Sequence, residues 1–198
     1  MTKAAVLERR TQRRAQVHAA TRGSILDAAR RVAARDGARD LSLRGVAAEA
    51  GFAPAALYGY FAGKDELLLA LAAEELTSLA RAMREASTGT TQRLSAASGA
   101  AILHLREAEA LAAALTAMPA VAGAGEAERL FNGRLIAALK VLSEVSGHPA
   151  ATRDGQRDVV LLAATITGLA LLARSGRLDV LGFTADELAK RLETVFAH

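Results

Sequence analysis

The chain has 198 residues, 52% of them apolar, which is enough to bury a sizeable core and excludes disorder by composition. It has no cysteine, which excludes disulfides, thiolate metal sites and cysteine nucleophiles and agrees with a reducing cytoplasm. The net charge of +4 is unevenly placed: residues 1–64 carry 12 basic and 5 acidic side chains, and the remainder 13 and 16, so either a polyanion binds the first third or that face is merely solvated.

Residues 1–20 are polar and basic, with Lys3, Arg9, Arg10, Arg13 and Arg14 against Glu8 alone, and have no apolar core of the kind found in a secretory signal. They are expected to form a mobile arm, helical in part. The arm either lies along phosphates or in a minor groove, or serves as a solubilising tail. A first helix is predicted from about Thr21 to Asp36, with Ile25, Ala29, Val32 and Ala33 on one face and Gly37 as its stop. Ser42 is a good N-cap for a second, short helix carrying Leu43, Val46, Ala47 and Ala50, which Gly51 breaks. Pro54 suits the first turn of a third helix that includes Leu57, Tyr58 and Phe61. Gly63 separates it from a long helix running from Lys64 to about Ser87. Further helices are predicted near 91–107, 109–117, 126–146, 151–174 and 184–197, the last opened by a capping box from Thr184 to Glu187. The expected fold is all-α with about nine helices: a head over 21–66 and a larger helical domain over 67–198. The longest apolar run, Val159 to Ala173, falls short of the roughly 20 residues that span a bilayer and reads as a buried helix.

The informative stretch lies between Ser42 and Phe61. Two helices too short to stand alone are joined by a tight turn at Gly51 and braced by a helix on either side. Such a turn sets a steep crossing angle, which in a helix-turn-helix lets the second helix enter the major groove while the first crosses the backbone. Val46, Ala47, Leu57 and Phe61 are expected to form the small core that fixes that angle.

Here the sequence resembles a known family. Ile25-Leu26-Asp27-Ala28-Ala29, Gly37, Ser42-Leu43-Arg44-Gly45-Val46-Ala47, Gly51-Phe52-Ala53-Pro54, Leu57-Tyr58-Gly59-Tyr60-Phe61 and Lys64-Asp65-Glu66-Leu67-Leu68 follow, in order, the DNA-binding domain of the TetR family of bacterial regulators. The resemblance covers about a quarter of the chain, from Arg22 to about Glu75. It implies a dimeric regulator, a ligand-responsive repressor on a palindromic operator; an activator and a low-specificity DNA-binding protein of the same fold are the alternatives. It also implies that Ser42 and Arg44 meet phosphates or a base edge, that Tyr58, Tyr60 and Lys64 meet phosphates, and that Arg22 adds a backbone contact. Packing is the other reading of each tyrosine. Ala53, Pro54, Ala55 and Gly59 complete the face turned to DNA. The chain departs from the family at Ala53, where a capping Ser or Thr is usual. Between Ala53 and Gly59 the only polar side chain is that of Tyr58, so the fork that reads guanine or adenine is missing. Specificity is then expected from Arg44, from alanine contacts with thymine methyls, and from DNA shape.

For the second domain the resemblance is one of architecture and implies ligand sensing and dimerisation. Val159, Leu162, Ile166, Leu169, Leu188, Leu192 and Val195 are the expected interface residues in an isologous four-helix contact between two copies. A pocket for a small hydrophobic effector is expected among Leu103, His104, Leu111, Leu115, Met118, Phe131, Leu135 and Thr165, although an apolar stripe of this kind also reads as plain core. The four histidines are far apart in sequence, and no phosphate loop or nucleophile elbow is present, so neither catalysis nor a cofactor is expected.

Overall fold

The computed structural model describes residues 3–117 and 125–196. Among these residues it contains ten α-helices: α1 (Lys3–Asp36), α2 (Leu43–Ala50), α3 (Pro54–Leu57), α4 (Lys64–Ala86), α5 (Arg93–Glu107), α6 (Glu109–Ala117), α7 (Glu126–Ser146), α8 (Arg153–Arg174), α9 (Arg177–Val180) and α10 (Ala185–Phe196). The helix count exceeds the expectation by the single turn of α9. The loop expected to be glycine- and alanine-rich, 117–126, lies largely outside the described residues.

The first helix begins much earlier than expected. No boundary occurs near Thr21, and residues 3–36 form one helix. The physical reason is the lack of any breaker: this stretch has no proline, and its Ala, Arg and Gln residues are good helix formers. Gly23 alone does not stop it. The third helix, by contrast, is shorter than expected. It ends at Leu57, and Tyr58 to Tyr60 form a turn, so Phe61 enters the core from a loop.

Local chemistry sets the head. Ser42 caps α2, its Oγ accepting the Gly45 N–H at 3.1 Å. Gly51 ends α2 at φ 73°, a left-handed conformation that a side chain would strain. Ile25, Leu26, Ala29, Leu41, Val46, Ala47, Leu57 and Phe61 are buried together, as the helical spacing required. Leu67 and Leu71 of α4 join the same cluster, so the core of the head runs without a gap into the body.

The body is built around α4, which packs on α5, α6 and α7 and also touches α1. α5 and α7 lie against α8, and α10 closes over α5 and α8. Thr152 caps α8 through the Gly155 N–H, and Thr184 exchanges hydrogen bonds with Glu187 at the start of α10. Of these helices, α8 alone is long and apolar enough to cross a membrane.

Candidate nucleic-acid interface

The helix-turn-helix is locked in place from α1. Arg31 Nε and Arg35 Nη1 reach the two carboxylate oxygens of Glu49 on α2 at 2.7 and 3.1 Å. Hydrogen bonds from Arg31 and then Arg35 hold the Glu49 carboxyl below its ordinary range. The loop before α4 is tied as well, with the Ala62 N–H donating to Glu66 at 2.6 Å and the Lys64 ammonium donating to the Arg39 carbonyl. These bonds hold α2 against α1 and tie the loop after α3 to the start of α4, supporting two helices of eight and four residues that would not stand alone.

The outer face of this unit is bare. Ala53, Pro54, Ala55, Ala56 and Gly59 are exposed, and the Tyr58 side chain stands out with 63% of its surface accessible. Ala53 precedes α3 without a side-chain cap; Pro54 has no N–H to be capped, and the Ala56 N–H is taken by the Ala53 carbonyl at 2.9 Å. Arg44 is exposed on α2. Ser42, expected to contact DNA, is already engaged as a cap.

Three residues expected to contact DNA are engaged elsewhere. The Arg22 guanidinium sits 4.9 Å from the centre of the Phe61 ring, a cation–π contact that pins α1 to the end of the motif. Tyr60 is half-buried, and its ring is stacked on that of His18 at 4.6 Å. Lys64 spends one donor on the Arg39 carbonyl. Sequence spacing did not reveal the His18–Tyr60 stack, because it pairs residues more than forty positions apart.

Among the described residues, those expected to line an effector pocket lie in different settings. Leu111 and Phe131 are buried in the core, whereas Leu103, Leu115 and Thr165 are exposed, and Thr165 returns its hydroxyl to the Leu161 carbonyl. Leu135 is half-buried; His104 is also half-buried and bonds through Nε2 to the Glu75 carbonyl at 3.2 Å. Met118 lies outside the described residues. The reason is helical register: in Ala- and Leu-rich helices the apolar pattern does not say which face turns inward. The expected dimer residues divide in the same way. Val159, Leu162, Ile166 and Leu192 are buried against their own chain, Leu169 and Leu188 are half-buried, and only Val195 is fully exposed. The outward face of α8 carries Val160, Leu161 and Leu171 instead. An open groove of about 880 Å³ adjoins it, lined by Ile136, Leu139, Val159, Val160 and Leu161 with Arg153 and Arg157.

Between the head and the body runs a set of polar ties that the sequence reading missed. Arg30 on α1 bonds Glu74 on α4 at 2.7 Å. Burial pushes the Glu74 carboxyl up in spite of Arg30. The adjacent Glu75 accepts the Leu111 N–H at 2.7 Å and the Ala110 N–H at 3.4 Å at the start of α6. Burial also raises the Glu75 carboxyl, and those two backbone bonds counter the rise. Two adjacent acids inside the apolar run from Leu67 to Leu79 were the available signal.

Residues 25–71 match the model of the tetR family of bacterial regulatory proteins. Over 69 residues the chain is 44% identical to the HTH-type nicotine-responsive transcriptional repressor HdnoR of Paenarthrobacter nicotinovorans; the match spans 35% of this chain and 36% of that relative. A protein of unknown function from Rhodococcus sp. RHA1 shares 27% identity and a TM-score of 0.67 over 89% of this chain and 93% of its own. The regulator FadR from Bacillus subtilis, solved with stearoyl-CoA, has the same fold at 19% identity and a TM-score of 0.61, over 88% of this chain and 98% of its own. Residues 25–71 thus form a helix-turn-helix domain of the kind found in the tetR family of bacterial regulatory proteins.

Proposed function

We propose that the chain is a sequence-specific repressor of transcription that binds a palindromic operator as a homodimer and releases it when a small hydrophobic effector binds. The observation that carries the reading is the α2–α3 unit, its α2 clamped from α1 through Glu49, with Ala53, Pro54, Ala55, Ala56 and Tyr58 exposed within the basic third of the chain. On DNA, α3 occupies the major groove and α2 crosses the backbone. Arg44 contacts a base edge or phosphate, and Tyr58 a phosphate. Lys64 and Tyr60 act in this scheme with the donors their internal contacts leave free.

Repression and effector response are supported by the relatives: HdnoR is nicotine-responsive, and FadR was solved with stearoyl-CoA. Dimerisation is supported by the exposed apolar face of α8 and its groove with α7, which another copy would cover about a two-fold axis. Low-specificity DNA binding is the second reading, favoured by the alanines of α3, which offer no fork to a base. Fragments of the host genome selected on the purified protein decide between them. A repressor enriches a few sites sharing an inverted repeat, whereas recovery of unrelated fragments in proportion to their length overturns specific recognition.

A further inference from the structure

The extension of α1 that precedes the family-matched residues 25–71 is a helical segment, exposed from residue 8 to residue 20, not a loose tail. Residues 3–20 at 1.5 Å each make a rod of about 27 Å. Its charge is arranged. Arg10, Arg13, Arg14, Val17 and His18 line an open cleft of about 440 Å³ together with Tyr60, which follows α3. The stack of His18 on Tyr60 fixes the rotation of the rod, so this arginine face turns to the same side as the motif.

The arginines of the cleft lack the carboxylate partners that six arginines elsewhere have. Arg30, Arg31, Arg35, Arg81, Arg157 and Arg174 are all bonded to carboxylates. Arg10, Arg13 and Arg14 have no such partner among the described residues, and the surrounding segment offers them only Glu8. A cluster of like charges held together without internal compensation repels itself and is relieved by an external polyanion. Its place beside Tyr60 makes duplex DNA that polyanion.

We propose that the arginine face of the α1 extension is a second DNA-backbone site, positioned by the His18–Tyr60 stack, that grips phosphates beside those met by the helix-turn-helix. This rests on the DNA-binding reading above. The site reads no bases. A rigid helix does not thread into a minor groove as an extended arm does, so it lies across phosphates and lengthens the footprint of each head.

The test uses the full chain, a labelled mixed-sequence duplex and a fragment selected from the genome, titrated over a range of salt. The triple change Arg10→Gln, Arg13→Gln and Arg14→Gln is expected to flatten the salt dependence of binding by about 2 to 3 per head, since each phosphate contact contributes about 0.9. The preference for the selected fragment is retained, whereas Arg44→Ala lowers that preference with a loss of at most about one in slope. His18→Ala is expected to weaken binding and His18→Phe to restore it, because phenylalanine keeps the stack. An unchanged slope in the triple variant, or equal effects of alanine and phenylalanine at 18, overturns the site while leaving the motif's role intact. Failure of the unaltered chain to bind either duplex overturns the DNA reading itself. Vesicles containing phosphatidylserine supply the remaining arm: loss of vesicle binding without loss of DNA binding in the triple variant assigns the face to a membrane and overturns the proposal.

Discussion

Individual residues decide how tightly the chain is held at two joints. Gly155 in the first turn of α8 lies against Pro149, and a Cβ placed there would stand 2.2 Å from the Pro149 carbonyl oxygen. Gly155→Ala must therefore shift the loop before α8, and a loss of about 1–3 kcal/mol is expected in thermal or denaturant unfolding. Ser42→Ala removes one cap bond and is expected to cost about 1 kcal/mol. Glu75 supplies a pH dependence. Its folded carboxyl holds a proton more tightly than the ordinary value of 4.5, chiefly through burial, so folding takes a proton up. The stabilisation from that proton is full below 4.5 and is lost as pH rises through the raised folded value. Unfolding midpoints of the wild-type chain and of Glu75→Gln should then shift relative to each other, with the wild type gaining as pH falls from neutral toward 4.5. A gap that is flat, or that widens with rising pH, contradicts this account of Glu75.

At the scale of elements, α8 has two faces that adjacent residues separate sharply. Leu162 is fully buried, whereas Leu161 is 58% exposed. Leu162→Ala is expected to cost about 2–5 kcal/mol because it opens a cavity in the core. Leu161→Glu should leave the fold intact and turn the proposed homodimer into monomers in sedimentation. A Leu161→Glu chain that stays dimeric would move the interface to another face. The same pair shows what the sequence made legible. Glycines, caps and a proline have meanings fixed by backbone geometry, so Gly51, Ser42 and Pro54 located α2, the turn and the start of α3 correctly. A run such as Val159 to Ala173 is apolar on every side, and its periodicity does not choose between Leu161 and Leu162. The expected interface therefore fell partly on core residues. Between Lys3 and Thr21 nothing in the sequence marks a helix boundary, and an exposed helix was read as an arm for its polarity.

Taken whole, the molecule couples a head to a body through α4. Core packing at Leu67 and Leu71, the Arg30–Glu74 bond and the Glu75 cap of α6 all cross that helix. α6 and α1 are thus joined through packed residues of α4. The order of the helices in the head and its buried core were legible, but the start of α1 and the end of α3 were not. The burial of the residues expected to line an effector pocket was not legible, because none of them is held to a special backbone geometry. The central claim is sequence-specific recognition of duplex DNA by the helix-turn-helix, and competition tests it most directly. A genome-selected fragment bound by the full chain is challenged with unlabelled bulk DNA at physiological salt. The account predicts that the fragment survives at least a roughly thousand-fold excess of bulk sites. Displacement by bulk DNA at parity with the fragment itself would contradict it.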